Sequence, residues 1–325
     1  MHTKNKVLEL LEKNRGSYLS GENIASQLQL SRTSVWKAIK SLAQDGYPIH
    51  AVTNKGYALS AESNILSVQG LATYLSDAVN TEKIFVYQSL PSTNTTAKEM
   101  AIAGAAHGAV VMADCQTAGK GRYNRGFFSP PGVGLYMSFI LHPQRLCFEN
   151  ATTTTAFAAV AVCESIEAVT QKKPGIKWVN DIFLDGKKIC GILTEAVTDF
   201  ESRNLHWIVL GIGINVQPYA EGFPPDIQQL AGTIYPDGPI HAVRNRLAAE
   251  IINRILGAAD HLDEKQIFEK YKRKLFILGK KVTVADSEKT YEATAVDIDH
   301  AGRLIVRKTC GAMQTLHTGE IRIKI

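Results

Sequence analysis

Eight residues near the middle of the chain, Gly119-Lys120-Gly121-Arg122-Tyr123-Asn124-Arg125-Gly126, combine three glycines with three cations. Glycines let backbone amides close on a ligand, and Lys120, Arg122 and Arg125 supply positive charge, so the chemistry offered is the holding of an anion. The loop is not of the Walker A type. Asp114 stands where the first glycine would be, and Gly121 replaces the serine or threonine whose hydroxyl takes Mg²⁺. A solvated basic surface loop has the same composition, and the loop alone does not separate the two readings.

A loop of this kind acts only where folded elements hold it. Strand-like runs at 83–87, 109–115, 134–141, 181–184, 188–197 and 205–215 and helical patterns near 94–103, 152–170 and 240–274 surround it. Hairpin links such as the Asp185-Gly186 turn predict a largely antiparallel or mixed sheet rather than a doubly wound one, hence an α+β body. From about Phe276 the chain carries Gly279-Lys280-Lys281-Val282-Thr283-Val284 and further short alternating runs, which predict a small β-barrel. No internal repeat or low-complexity tract is present.

The first sixty residues have a different character. They hold eight Lys or Arg against four acids, nearly all of the net +5 of the 325-residue chain. A basic first domain on a near-neutral body suggests a polyanion partner for that domain alone. Helices are predicted over 5–14, ended by Gly16-Ser17, over 21–28, opened by Ser20, and over 32–44, capped by Ser31. In the third helix Val35, Ala38, Ile39 and Leu42 recur at helical spacing and should face the core, leaving Thr33, Lys37, Lys40 and Gln44 outside. An outer face of hydroxyls and lysines, entered through Ser31-Arg32-Thr33-Ser34, suits the major groove of DNA. A hairpin over 49–59, turned at Asn54-Lys55-Gly56, adds a basic wing at Lys55. A three-helix packing module or a protein–protein domain is the plain alternative; charge, hydroxyl-rich helix entry and wing in this order favour a winged helix-turn-helix. Trp36 lies beside the outer face and could instead pack on the next domain. The polar stretch Ser60–Ser67 marks a boundary, giving domains 1–63, 64–275 and 276–325.

Five cysteines, Cys115, Cys147, Cys163, Cys190 and Cys310, are odd in number and widely spaced, implying neither a disulfide framework nor a zinc knuckle. The N-terminus alternates charged and apolar residues without a signal-type core, and no run approaches the roughly 20 apolar residues of a membrane span. A cytoplasmic protein without membrane contact is expected.

Five motifs follow one another in the body: Ser92-Thr93-Asn94, Gln116-Thr117-Ala118-Gly119-Lys120-Gly121-Arg122, Lys177-Trp178-Val179-Asn180-Asp181, Lys188-Ile189-Cys190-Gly191-Ile192-Leu193-Thr194-Glu195 and Gly211-Ile212-Gly213-Ile214-Asn215. In this order, with the N-terminal winged helix and the terminal barrel, the chain resembles the bifunctional biotin protein ligases that also repress biotin biosynthesis genes. The resemblance covers essentially the whole chain. It implies a central mixed-sheet domain of the biotin/lipoate ligase type and a C-terminal SH3-like barrel.

The resemblance also implies the reaction. Biotin and ATP are substrates, Mg²⁺ accompanies ATP, and no tightly bound prosthetic group or dedicated metal site is expected. Biotinoyl-5′-AMP and pyrophosphate form first, and the biotinoyl group then passes to a lysine of a biotin carboxyl carrier domain of acetyl-CoA carboxylase or a related carboxylase. Cations must offset the repulsion between a carboxylate and an anionic α-phosphate. Arg122 and Lys188 are therefore the implied catalytic residues, with Lys120 beside them. Ser92, Thr93, Asn94, Gln116, Gly119, Lys120, Gly121, Arg122, Lys188, Gly191 and Gly213 are implied for biotin, and Lys120, Arg122, Lys177, Asn180, Asp181 and Asn215 for the nucleotide. Ser92-Thr93-Asn94 after Pro91 also reads as an ordinary helix cap, Lys188 as an exposed hairpin lysine, and Asn180-Asp181 as a turn. Ser31, Arg32, Thr33, Ser34, Lys37, Lys40 and Lys55 are the residues expected on operator DNA, bound by an adenylate-loaded homodimer. Two positions depart from the family pattern: Lys120 and Val179 stand where arginine and proline are usual. The apolar segment Val216–Thr233 is expected to order over the adenine. A lipoate-type ligase and a non-catalytic biotin-sensing regulator are the alternatives.

Overall fold

The computed structural model describes residues 3–143, 146, 151–198, 205–238, 242–258, 263–285, 290–316 and 320–323. The chain opens with three helices, α1 (Thr3–Lys13), α2 (Gly21–Leu28) and α3 (Arg32–Gln44), and a hairpin of β1 (Ile49–Val52) and β2 (Gly56–Leu59). Ser20 and Ser31 each accept a backbone N–H from the first turn of the helix they precede, at 3.0 and 3.1 Å, so both helices begin where their caps stand. Val7, Leu11, Ile24, Val35, Leu42 and Leu59 form one buried cluster. In the hairpin turn Gly56 adopts a φ of +103°, and a Cβ there would stand 2.1 Å from Leu19 O; only glycine lets β2 lie against that residue. Trp36 is 51% exposed, so the next domain does not cover it.

The body begins at α4 (Val68–Ala72), followed by β3 (Ile84–Leu90), α5 (Thr93–Ile102), β4 (Ala109–Gln116), β5 (Gly134–Leu141), α6 (Ala151–Thr170), β6 (Gly175–Lys177), β7 (Asp181–Leu184), β8 (Lys187–Thr198) and β9 (Leu205–Asn215). These seven strands make one sheet in the order β3-β4-β5-β9-β8-β7-β6. Only β3 and β4, connected through α5, run parallel; the other neighbours are antiparallel, giving the mixed sheet expected from the hairpin turns. The helical pattern over 240–274 is two helices, α7 (Val243–Ala258) and α8 (Glu264–Lys274), with Asp263 capping the second. Positions 240–241 and 259–262 of that expectation, and Cys147, lie outside the described residues. The short edge strand β6 was not anticipated, because three residues are too few to carry a period.

One sheet face is covered by α6, α7 and α8. α6 is apolar nearly all round, from Phe157 to Ile166, because it packs on the sheet and is flanked by α7 and α8. The other face packs against α5 through a smaller cluster of Ala97, Ala101, Val111, Ile140 and Val209, and it is left open beyond the start of that helix. Five strands, β10 (Lys281–Ala285), β11 (Thr290–Ile298), β12 (Leu304–Lys308), β13 (Met313–Leu316) and β14 (Glu320–Ile323), close the chain as an antiparallel sheet in the order β13-β12-β11-β10-β14. Val282, Val284, Ala295, Leu304 and Val306 join its inner face to the core of the body. No helix is long and apolar enough to cross a membrane among the described residues.

Polar side chains tie the connecting stretch 63–67 to both sides. Arg15 Nη1 donates to Ser63 O, Arg244 Nη1 to Asn64 O at 3.1 Å and Asn245 Nδ2 to Ile65 O at 2.8 Å.

Candidate active site

The face that α5 leaves open carries a cleft of about 350 Å³. Its floor is the middle of the sheet, where β8 and β9 carry Gly191, Gly211 and Gly213. A Cβ on Gly213 would stand 2.5 Å from the Phe127 ring, so the bare strand is what lets that ring lie over the sheet. The cleft wall therefore depends on an absence of side chain at one position.

The basic loop forms one rim. It closes on itself through a Lys120–Gly126 bridge, with Gly121 N donating to Arg125 O at 2.7 Å and Phe127 N to Gly119 O at 2.8 Å. Tyr123 and Asn124 turn the loop with φ of 56° and 57°. Arg122 then points inward: Nη1 donates to Asn180 Oδ1 at 3.1 Å, Nη2 to Tyr123 OH at 3.0 Å, and the guanidinium lies 5.0 Å from the Tyr123 ring. Asn180 Nδ2 donates to Ile192 O at 2.8 Å, which fixes its oxygen toward the arginine. Lys188, on β8, faces Asp181, on β7, with 2.6 Å between Nζ and Oδ1. The cation and its acid are both partly exposed to the cleft. Val179 follows Trp178 through a cis peptide, and its carbonyl accepts from Tyr271 OH at 2.8 Å.

At the far end, Ser92, Thr93 and Asn94 open α5 and are buried. Ser92 makes no capping hydrogen bond, so the cap reading of this cluster is not what the side chain does. Thr93 N donates to Gln116 Oε1 at 2.8 Å, Thr93 Oγ1 lies 3.1 Å from the same oxygen, and Gln116 Nε2 donates to Ser129 Oγ at 2.9 Å. Burial pushes the Cys190 thiol well above its ordinary range, so Cys190 is a neutral part of the wall.

All the residues expected at the ligand site line this single cleft, Gly119 excepted. Gly119 lies behind the rim, where a Cβ would stand 2.4 Å from Phe127 O. Asn215 lines the cleft with its Nδ2 donating to Gly232 O at 3.0 Å, and Phe223, Asp226, Ile227 and Leu230 of the apolar segment form a lip. Phe128 packs edge-on to both Tyr219 and Phe223, at 5.9 and 6.2 Å between centroids. Sequence reading missed Phe127, Ser129 and Ser138, and it gave Glu195, which ends the fourth motif, no role. A lone serine inside the otherwise apolar, fully buried β5 was the available signal for Ser138.

The expected DNA-facing residues lie apart from the cleft. Arg32, Thr33, Lys37, Lys40 and Lys55 are exposed, whereas the Ser31 and Ser34 hydroxyls bond each other at 2.8 Å. A groove between the start of α3 and the hairpin is lined by Arg32, Thr33, Trp36, Val52, Thr53 and Asn54, and Lys40 Nζ stands 5.2 Å from the Trp36 ring centroid.

Residues 86–215 match the Biotin/lipoate A/B protein ligase family, residues 3–58 an HTH domain and residues 277–323 the Biotin protein ligase C terminal domain. The Bifunctional ligase/repressor BirA of Bacillus subtilis is 37% identical over 228 residues, 70% of this chain and 69% of that protein. Its namesake in Escherichia coli is 24% identical over 322 residues, 98% of this chain and 96% of the relative. Among solved structures, the biotin protein ligase from Aquifex aeolicus in complex with biotin and ATP superposes with a TM-score of 0.63 at 27% identity, covering 74% of this chain and 98% of that one.

Proposed function

The chain belongs to the biotin protein ligase family, and from that premise we propose the division of labour within its cleft. The enzyme joins biotin to ATP and acts also as a transcriptional repressor of biotin biosynthesis genes. The observation that carries the site assignment is the convergence of Lys188, Arg122 and the Thr93–Gln116 pair on one cleft with a bare glycine floor.

Biotin lies along the cleft, its ureido ring against Thr93, Asn94 and Gln116, with the Phe127 ring, seated on Gly191 and Gly213, walling its bicycle. The carboxylate oxygen attacks the α-phosphorus of ATP, the bond to the pyrophosphate oxygen breaks, and biotinoyl-5′-AMP and pyrophosphate result. Lys188 and Arg122 stabilise the oxygens on which negative charge gathers. Asp181 pairs with the Lys188 ammonium, and substrate oxygens take its place as partner in the reaction. Asn180, Asp181 and Asn215 offer hard oxygens suited to Mg²⁺, which when bound with ATP supplies charge neutralisation at the phosphates. Lys120 and Lys177 add charge for the nucleotide, and Lys120 does so as a point charge without the two-pronged grip of arginine. In the second step a carrier lysine attacks the acyl carbon and AMP leaves.

Loop residues 119–126 and the lip at 223–231 then exclude water from a mixed anhydride that water would hydrolyse. The adenylate-loaded form acts as corepressor complex and homodimer, placing two copies of α3 and the wing, with Arg32, Thr33, Lys37, Lys40 and Lys55, on a two-fold operator. A carrier domain and the second copy compete for the loaded enzyme. Free Cys115, Cys163, Cys190 and Cys310 accord with a reducing cytoplasm. Biotin-dependent pyrophosphate exchange tests the assignment: the wild type exchanges and Lys188→Ala does so about 10²- to 10³-fold more slowly. Exchange by the variant at the wild-type rate would overturn the role of Lys188.

A further inference from the structure

Asn94 crosses the sheet where the sheet is bare. Strands β5, β9 and β8 lie side by side, and one amide spans all three. On β5, Ser138 Oγ stands 2.6 Å from Asn94 Oδ1. On β9, Gly211 lies beneath, where a Cβ would stand 2.1 Å from that oxygen. On β8, Asn94 Nδ2 reaches Glu195 Oε2 at 2.8 Å and Leu193 O at 3.3 Å. A carboxylate and a carbonyl only accept, so the edge of the amide facing β8 must be its NH₂ and the edge facing Ser138 its oxygen. The other carboxylate oxygen, Oε1, pairs with Lys98, one turn beyond Asn94 on α5. Glu195 stands outside the cleft, whereas Asn94 and Thr93 line it.

The polarity set at Glu195 propagates. With Oδ1 turned toward Ser138 at 2.6 Å, the serine's one hydrogen is drawn to Asn94; its oxygen, 2.8 Å from Thr93 Oγ1, is left to accept and competes with Gln116 Oε1, at 3.1 Å, for the threonine's one hydrogen. The opposite end is set independently, because Thr93 N can only donate and therefore holds Gln116 by its oxygen. Without the carboxylate, a flipped amide would present NH₂ to Ser138 and turn the serine hydrogen onto Thr93. The wall would then offer a different pattern of donors and acceptors to the ligand ring.

We infer that Glu195 is a positioning residue for recognition of the biotin ring: held by Lys98, it locks the Asn94 amide and so sets the hydrogen-bond polarity of the wall that Thr93 and Asn94 present. The inference rests on the biotin reading of the cleft. The ureido ring needs acceptors for its N–H groups and donors for its carbonyl, so a scrambled wall weakens biotin binding, while the chemistry at Lys188 and Arg122 is untouched.

Pyrophosphate exchange measured against biotin and against ATP tests it. Glu195→Ala should raise the biotin KM about 10- to 100-fold, with kcat at saturating biotin and the ATP KM within about twofold of wild type. Glu195→Gln, whose side-chain oxygen can still accept from Asn94, should return the biotin KM to within about threefold of wild type. Lys98→Met should raise it about three- to tenfold, and this surface variant carries the test if Glu195→Ala does not fold. An unchanged biotin KM in Glu195→Ala and Lys98→Met, a fall in kcat without a change in KM, or no rescue by glutamine would overturn the inference while leaving the ligase reading intact. A wild type that does not exchange with biotin would overturn both.

Discussion

At the scale of single residues, the cleft is governed by a few charges and a few missing side chains. Lys188 contributes only if its ammonium strengthens its hold as charge develops, so Lys188→Ala should cost about 10²- to 10³-fold in pyrophosphate exchange with little change in thermal midpoint. Gly213 has the opposite character: it contributes no side chain, and its value is that the Phe127 ring can lie directly on it. Gly213→Ala drives a methyl into the Phe127 ring, and calorimetry should register at least tenfold weaker biotin binding. These roles were only partly legible in the chain. Lys187 and Lys188 are adjacent and chemically identical, yet Lys187 Nζ is taken up by Gln229 O while Lys188 faces Asp181. Strand alternation decides which lysine looks into the cleft, and the register of β8 depends on its neighbours.

At the scale of elements, caps and turns did most of the local specification. Ser20, Ser31 and Asp263 begin α2, α3 and α8 by side-chain hydrogen bonds that can be read from residue type. Ser31→Ala should destabilise the winged-helix domain by about 1 kcal/mol, seen as a lower midpoint in its denaturation. The same substitution should weaken DNA binding less than Lys37→Ala or Lys40→Ala, because the Ser31 hydroxyl is spent on Ser34 rather than offered to a ligand. The apolar segment after β9 is two pieces in structure. Residues 230–232 pair with Lys188, whereas Phe223 reaches the cleft mouth through Phe128. Limited proteolysis should therefore cut within 217–228, and biotin plus ATP should slow that cutting; equal rates with and without ligand would count against ordering over the adenine.

At the scale of the whole molecule, Arg244 joins regions that the chain keeps far apart. Its side chain is 1% exposed and binds Asp114 Oδ1 at 2.6 Å, Gly134 O at 2.8 Å and Asn64 O at 3.1 Å. Arg244→Met strands the Asp114 carboxylate and two carbonyls, so equilibrium unfolding should show a loss of about 3–5 kcal/mol. The junction nearby is less complete: Glu12 Oε1, Ser63 Oγ and Asn64 Oδ1 are buried without a hydrogen-bond partner among the described residues. On the far side, Lys272 donates to Asp297 at 2.9 Å, joining α8 to the terminal sheet, and this bond holds the Asp297 carboxyl below its ordinary range. A depressed carboxyl stabilises the fold above its ordinary pKa and ceases to do so as pH falls through the lowered value. Asp297→Asn should therefore flatten the acid limb of the stability profile.

The three N-terminal helices, two of them capped by serine, the hairpin wing and the α+β alternation follow from local residue type and periodicity, and the ordered motifs carry the resemblance that implies the family and its reaction. Those signals are short-range, because caps, turns and strand alternation involve neighbours within a few positions. The network from Gln116 through Thr93, Ser138 and Asn94 to Glu195 and Lys98 joins α5, β4, β5 and β8, whose partners lie up to 101 residues apart. Hydrogen-bond polarity across such distances has no local signature. It exists only once the strands are in register and Gly211 leaves room for the amide to cross, and tertiary structure alone decided it.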